Sequence, residues 1–452
     1  MERFLRSFGF FIKFAIVAAI ALWVYLNPGQ IQLEWQGYLI TTSFGFTAIV
    51  LGIAVLVFAT LYHHWRNLLS MPRKWRKHRQ VKAMEMGYNA LNKGLLAVAG
   101  GDAQTAAKQS KKALGFLPDN ALSHLLAAQT AQLRNDDVTA DTHLAKLMLH
   151  PDGQLFALRG QLTRALARED RTEALRLARL AYSQQSSQPW IIDTTVQMEA
   201  RAQSWIQAEK ILRQAIKMND DNEPRWQKDL SAVLVCLSDA ARIKNDMDAA
   251  LECAREAAKR HQGWSPAVIR LADLWQRKTY RRRAQKILMT AWESDPHPDL
   301  VVAWLHATGT ERATDNTTTI EKLVSVNPDN AESAMAMAQA FSQAGLWGVA
   351  RQHALRAIEY APTRAAYRLL ADIERGDSNN ANKIAQEKIS MWLDKAADAQ
   401  PEEQWVCQVT QEIFPAWQAL NRQSHFNTIQ WAAPVPLAPG SNNAVSQLTF
   451  IS

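Results

Sequence analysis

The sequence predicts an all-α chain, with a transmembrane helical hairpin followed by a long stack of helix pairs. Three observations predict it. Two apolar runs lie within the first 62 residues, a cationic stretch follows the second run directly, and from residue 83 onward small residues recur in a register of 34. A repeat of that period implies stacked supersecondary units in place of one globular core.

The first element is an N-terminal anchor over residues 1–63. Phe8 to Leu26 is a run of 19 residues interrupted only by Lys13, and Tyr38 to Tyr62 is a run of 25 with no charge. Each is long enough to cross a hydrocarbon layer as a helix. Asn27 to Gly37 between them reads as a loop carrying Glu34 and no cation. Arg3 and Arg6 precede the first run, so both ends of the hairpin are expected on the cytoplasmic side.

The second element, residues 64–82, is a basic juxtamembrane segment containing Arg66, Arg73, Lys74, Arg76, Lys77, Arg79 and Lys82, interleaved with Trp65 and Trp75. Attraction to anionic membrane lipids is the functional reading of these cations, and a pure topology signal is the alternative. Charge location matters more than charge total. Residues 1–82 hold 10 Lys+Arg against 2 Asp+Glu, so the net +8 belongs to them and the remainder is balanced. A large neutral domain lacks the footprint that nucleic-acid binding needs, and no nucleic acid is expected as partner.

Residues 83–401 form the third element, a solenoid of about nine helix pairs. Ala106, Ala140, Ala174 and Ala208 are 34 apart, as are Ala250 and Ala284, and Ala350 follows after two steps of 33. A second alanine lies seven residues after most of these, as in Ala106/Ala113, Ala174/Ala181 and Ala250/Ala257, which places both on one helix face. Gly94, Ala128, Ser238, Ala272 and Ala338 precede the first alanine by 12 residues and are small enough for a second helix to approach closely. Proline five residues beyond the second alanine, at Pro118, Pro296 and Pro362, ends the helix. The step of 42 between Ala208 and Ala250 carries eight extra residues, expected to lengthen a helix, and residues 301–328 read as a shortened or distorted unit.

Small-Ala-Ala-Pro positions spaced 12, 7 and 5 in a period of 34 resemble the tetratricopeptide repeat (TPR). With two spans, the Asn27-Pro28-Gly29 loop, NPGQIQLEWQGY over Asn27–Tyr38 and ALNKGLLAVAGGD over Ala90–Asp102, the order of parts resembles the HemY family of proteobacterial inner-membrane proteins. The resemblance implies a multi-pass protein of the bacterial inner membrane with both termini cytoplasmic, a TPR superhelix, and an association with haem and porphyrin biosynthesis. Some relatives end in a zinc ribbon. Phe426, Thr428, Trp431 and Trp405-Val406-Cys407 resemble parts of it, whereas Thr410, Asn421 and Ser424 stand where further cysteines would fall. One thiolate of four cannot hold a structural zinc, so residues 402–431 are expected as a metal-free cap on the open end of the solenoid, and residues 432–452, with Pro434, Pro436, Pro439 and Gly440, as a disordered tail.

Catalytic motifs are missing from the sequence. There is no Gly-rich dinucleotide loop after a strand, no P-loop and no H-E-x-x-H. Cys236 and Cys253 read as apolar fillers, and His124, His143, His261 and His353 share no spacing that would bring two to one metal. No catalytic, cofactor or metal residue is expected, and the chain is expected not to be an enzyme. Arg281, Arg282 and Arg283 form the tight cationic cluster of the repeats; they suit carboxylates of a protein partner or porphyrin propionates, against the alternative of a solvated helix start. The leading functional expectation is a membrane-anchored scaffold for partner proteins, with tetrapyrrole-pathway enzymes as the expected partners. A haem or porphyrin carrier and an envelope-assembly adaptor are the alternatives.

Overall fold

The structure is a computed structural model describing residue 22 and residues 29–35, 38–218, 223–310, 313–377 and 383–435. The first expected span, Phe8 to Leu26, therefore lies outside the described residues except for Leu22, and so does the tail from residue 436. The described chain is mainly helix, with two small sheets, and separates into two compact units, Met1–Gly153 and Gln154–Ser452.

The first unit corrects the expected loop and the start of the second span. Strand β1 (Gln30–Trp35) pairs antiparallel with β2 (Tyr38–Ser43), with Trp35 opposite Tyr38 and Gln30 opposite Ser43. The expected loop is thus largely strand, and the second span does not begin at Tyr38. The physical reason is period: Ile31, Leu33 and Trp35 alternate with Gln32 and Glu34, and Tyr38, Ile40, Thr41 and Thr42 are β-formers. Hydropathy averaged over a long window hides both signals.

Helix α1 (Phe44–Ala99) starts where Ser43 Oγ accepts the Phe46 amide, and it runs for 56 residues, about 84 Å at 1.5 Å per residue. Its stretch Gly45–Tyr62, with mean hydropathy 2.2, is long and apolar enough to cross a membrane, and none of it is buried against protein. The same helix continues through the basic segment into the first repeat. Pro72 removes one amide from the ladder without ending it.

The last turns of α1 pack on α2 (Ala103–Phe116), and α3 (Ala121–Leu133) packs on α4 (Asp137–Leu147). Ala90, Leu91, Ala113, Leu117 and Leu126 form the core of this unit. Gly94 is required by close approach, since a Cβ there would stand 2.5 Å from Leu126 Cδ2, and Leu126 is fully buried.

In the second unit the pairs are α5 (Gln154–Ala167) with α6 (Arg171–Gln184), α7 (Pro189–Arg201) with α8 (Trp205–Met218), α9 (Glu223–Ile243) with α10 (Met247–Arg260), α11 (Ser265–Arg277) with α12 (Arg281–Ser294), α13 (Pro298–Thr308) with α14 (Ala313–Val324), α15 (Ala331–Gln343) with α16 (Trp347–Tyr360), and α17 (Arg364–Asp377) with α18 (Lys383–Asp398). Each helix packs mainly on its sequence neighbours. The register alanines form the seams: Ala174, Ala208, Ala250, Ala284 and Ala350 have no exposed surface. At one seam Ser238 Oγ donates to the Ala250 carbonyl at 2.8 Å, so even the polar member of the small-residue set is satisfied inside the contact.

The turns within pairs have their own repeat. Asn135, Glu169 and Gln203, then Asn245 and Thr279, hold positive φ of 54° to 65°, and Asp136, Asp170 and Asp246 follow as N-caps accepting the amide three residues on. The eight extra residues lengthen α9, which has 21 residues where α7 and α11 have 13. The unit over 301–328 keeps two short helices, and Thr319, in place of a small apolar residue, is buried with its hydroxyl on the Asp315 carbonyl.

After α18 come β3 (Gln404–Cys407), β4 (Ile413–Phe414) and β5 (Ile429–Ala432), an antiparallel sheet in the order β4-β3-β5. Replacing Ala250 by Leu should overpack the α9–α10 seam and cost about 1–3 kcal/mol, measured by urea unfolding of the detergent-solubilised chain.

Candidate functional site

The surface built by the first helices of successive pairs is where a solenoid ordinarily presents its binding residues. In the second unit that face, from α7 to α13, carries the chain's own C-terminal module, residues 404–432. This corrects the expected cap on the open end: the module lies against the middle pairs. Three of its aromatic side chains find partners on these helices or at their N-caps, and a fourth, Phe426, at the start of α8. Trp417 meets Trp264 edge-on at 4.9 Å between ring centroids, with the Arg270 guanidinium 5.9 Å from the Trp417 ring. Trp431 and Trp405 stand 4.2 and 5.1 Å from the His297 ring, and Phe426 lies against Trp205.

Polar contacts register the module on the helices. Asn427 Nδ2 donates to Asp229 Oδ1 on α9 at 2.7 Å, Trp405 Nε1 donates to Asp299 Oδ2 on α13 at 3.0 Å, and Arg201 Nε on α7 donates to the Ser424 carbonyl at 2.8 Å. Burial raises the Asp229 carboxyl above the usual carboxylate range, with the Asn427 hydrogen bond opposing it. His297 Nδ1 accepts the Asp299 amide at 3.1 Å, and burial lowers its pKa despite Asp299 and Asp295, so the ring is neutral at pH 7. Burial likewise lowers His261, stacked on Trp264, to about 4.

Inside the module the thiol of Cys407 is buried. It accepts the Thr410 amide at 3.4 Å and one amide hydrogen of Asn421 at 3.2 Å, and it contacts the Thr428 hydroxyl. Burial pushes the thiol up, but the hydrogen bonds from Thr410, Thr428 and Asn421 together bring it below its ordinary value. Asn421 Nδ2 also reaches His425 Nδ1 at 3.1 Å, so one amide group ties both rims of the turn cluster. Among the described residues, no three His, Cys, Asp or Glu side chains come together to hold a metal ion.

The sequence-derived residues fare unevenly. Of the basic segment, Arg79 and Lys82 are exposed on α1, and the side chains of Arg66, Arg73, Lys74, Arg76 and Lys77 lie outside the described part. Arg281, Arg282 and Arg283 are exposed in the first turn of α12; successive helical positions splay them apart, and Arg283 stacks on Tyr280 at 5.1 Å. Cys236 and Cys253 are half-buried in α9 and α10, and burial pushes the Cys236 thiol up to about 12, consistent with apolar filling.

In the first unit His124 on α3 and His143 on α4, which share no metal-ligand spacing in the sequence, nevertheless meet, Nδ1 to Nδ1 at 3.2 Å, with the His150 ring 6.0 Å from His124. A separation of 19 residues carries no helical periodicity, yet it places two side chains across an antiparallel pair. Burial lowers the pKa of both, and His143, Lys146 and His150 add repulsion at His124.

With this geometry in hand, comparison with known proteins places the N-terminal part. Residues 29–135 match the HemY protein N-terminus. That span takes in most of the NPGQIQLEWQGY segment and all of ALNKGLLAVAGGD. The whole chain is 24% identical over 469 residues to "Probable magnetosome protein Mms48" of Magnetospirillum gryphiswaldense, with 98% of each chain covered. Among solved structures, the MamA protein aligns at 14% identity and TM-score 0.24, covering 37% of this chain and 90% of that one. The TPR domain of P58(IPK) aligns at 13% identity and TM-score 0.22, covering 69% and 97%.

The histidine pair sets a pH dependence. A base whose folded pKa is depressed contributes stability that is complete above its unfolded pKa, here 6.5, and is lost as pH falls through the lowered folded pKa. Stability should therefore decline as pH is taken below 6.5, by at most about 1.4 kcal/mol per pH unit for each group. Chemical denaturation at a series of pH values should show a shallower decline for His124→Asn than for the native chain; an equal slope would contradict the assignment.

Proposed function

We propose that this protein is a membrane-anchored TPR scaffold that holds partner proteins at the cytoplasmic face of a bacterial inner membrane, in association with haem or porphyrin biosynthesis. The observation that carries the reading is α1: a single helix is apolar over Gly45–Tyr62, basic just beyond, and by Ala90 already part of the first repeat. A stack of helix pairs is thereby joined to the bilayer without an intervening loop. Confinement to a surface raises the effective concentration of anything that binds the stack, so weak contacts suffice.

The topology follows from charge. Arg66, Arg73, Lys74, Arg76, Lys77, Arg79 and Lys82 keep the C-terminal end of the span on the cytoplasmic side, where they also attract anionic lipids, and Phe8–Leu26 supplies the return span. The strand pair β1–β2 then belongs to the outer surface, because exposed backbone is not tolerated in hydrocarbon. The partners are proteins, with tetrapyrrole-pathway enzymes first among them, and the chain itself performs no conversion. This extends the HemY likeness of residues 29–135 to function.

Affinity capture tests the reading. The intact protein in mild detergent should retain tetrapyrrole-pathway enzymes, and a chain lacking residues 1–82 should retain several-fold less from cells. Recovery of no such enzyme with either would contradict it. A saturable, stoichiometric Soret shift on titration with porphyrin would point instead to a carrier.

A further inference from the structure

A solenoid of helix pairs is quasi-one-dimensional: each pair touches only its neighbours, so its curvature is soft and its ends do not communicate. The second unit departs from this. The C-terminal module reaches back along the chain and binds four successive first helices. Ser424 meets Arg201 on α7, Asn427 meets Asp229 on α9, Trp417 meets Trp264 and Arg270 at α11, and Trp405 meets Asp299 on α13. These contacts span sequence separations of 223, 198 and 106 residues for the three hydrogen bonds.

Trp405, Cys407, Phe414, Trp417 and Ile429 also belong to one apolar core with residues of α7 to α11. The chain leading into the module is tied as well, where the Arg364 amide at the start of α17 donates to the Gln400 carbonyl at 2.8 Å. It has no metal-ligand cluster, and its own turns are closed by the Cys407–Asn421–His425 hydrogen bonds.

We infer that the C-terminal module is a permanent clasp: it is the resident occupant of the first-helix face from α7 to α13, it sets the curvature of those pairs, and it makes them unfold as one unit. The buried tryptophans supply the holding energy, and the three hydrogen bonds set the register. Protein partners consequently use surfaces other than this face. The clasp stands on the intramolecular contacts; only its consequence for partners rests on the proposed scaffold role.

Amide hydrogen exchange on the full chain in detergent tests it, comparing the native protein with Trp417→Ala, Asn427→Ala and, as a control on the exposed side of β4, Ile413→Ala. Loss of a buried tryptophan should speed exchange by roughly a hundredfold, and the gain should reach α7, α9, α11 and α13 together. Asn427→Ala, which leaves the aromatic contacts in place, should show the same helices accelerating to a smaller extent, and the control should show no change. Acceleration confined to α11 and the module would overturn the clasp. So would two exchange populations for β3 and β5 in the native chain, which would mean a module that leaves the face and admits another occupant.

Discussion

Everything in this chain depends on how closely two helices can approach. Where alanine or glycine lines both sides of a contact, helix axes come to the short end of the usual 8–10 Å range, and backbone packs nearly on backbone. Ala106, Ala140, Ala174, Ala208, Ala250 and Ala284 are all without exposed surface, and Gly94 has no room for a Cβ. Such a pair is thin. It leaves the larger side chains, Leu158, Ile192, Leu230, Leu271 and Leu288, to be covered by adjoining helices, so stacking is the only route to burial.

That constraint is why the repeat was legible in the sequence and other features were not. Alanine spacings of 34 and 7 report the seam directly, and the step of 42 reports a longer helix because the turn chemistry on both sides is unchanged. A further signal was there to be used: Asp102, Asp136 and Asp170 recur at 34 as N-caps, each after a residue in the left-handed region. A long hydropathy window places the start of the membrane segment too early because it averages over the period-2 alternation of Gln30–Trp35 and the β-branched residues of Tyr38–Ser43. Helix and strand compete there on local propensity, and the window is blind to that.

The candidate site was the least legible part. His124 and His143 meet because α3 and α4 are antiparallel, and the meeting point depends on turn length, not on periodicity. Placement of residues 404–432 is set by contacts over a hundred residues away. The aromatics of the C-terminal segment announced that it would pack on something, but an end of the stack and its first-helix face are equally apolar to a reader of sequence. What distinguishes them is specific: Asp229 awaiting Asn427, Asp299 awaiting the Trp405 indole, and a neutral His297 beside two indoles.

The second unit is a stack of helix pairs closed by its own C-terminal module. Pulsed electron paramagnetic resonance between spin labels at the exposed Ile206 on α8 and Ile413 on β4 measures that closure in the full chain. A single narrow distance distribution, unchanged between detergent and lipid bilayer, is the predicted result. A broad distribution, or one that shifts to long distances in the bilayer, would contradict it.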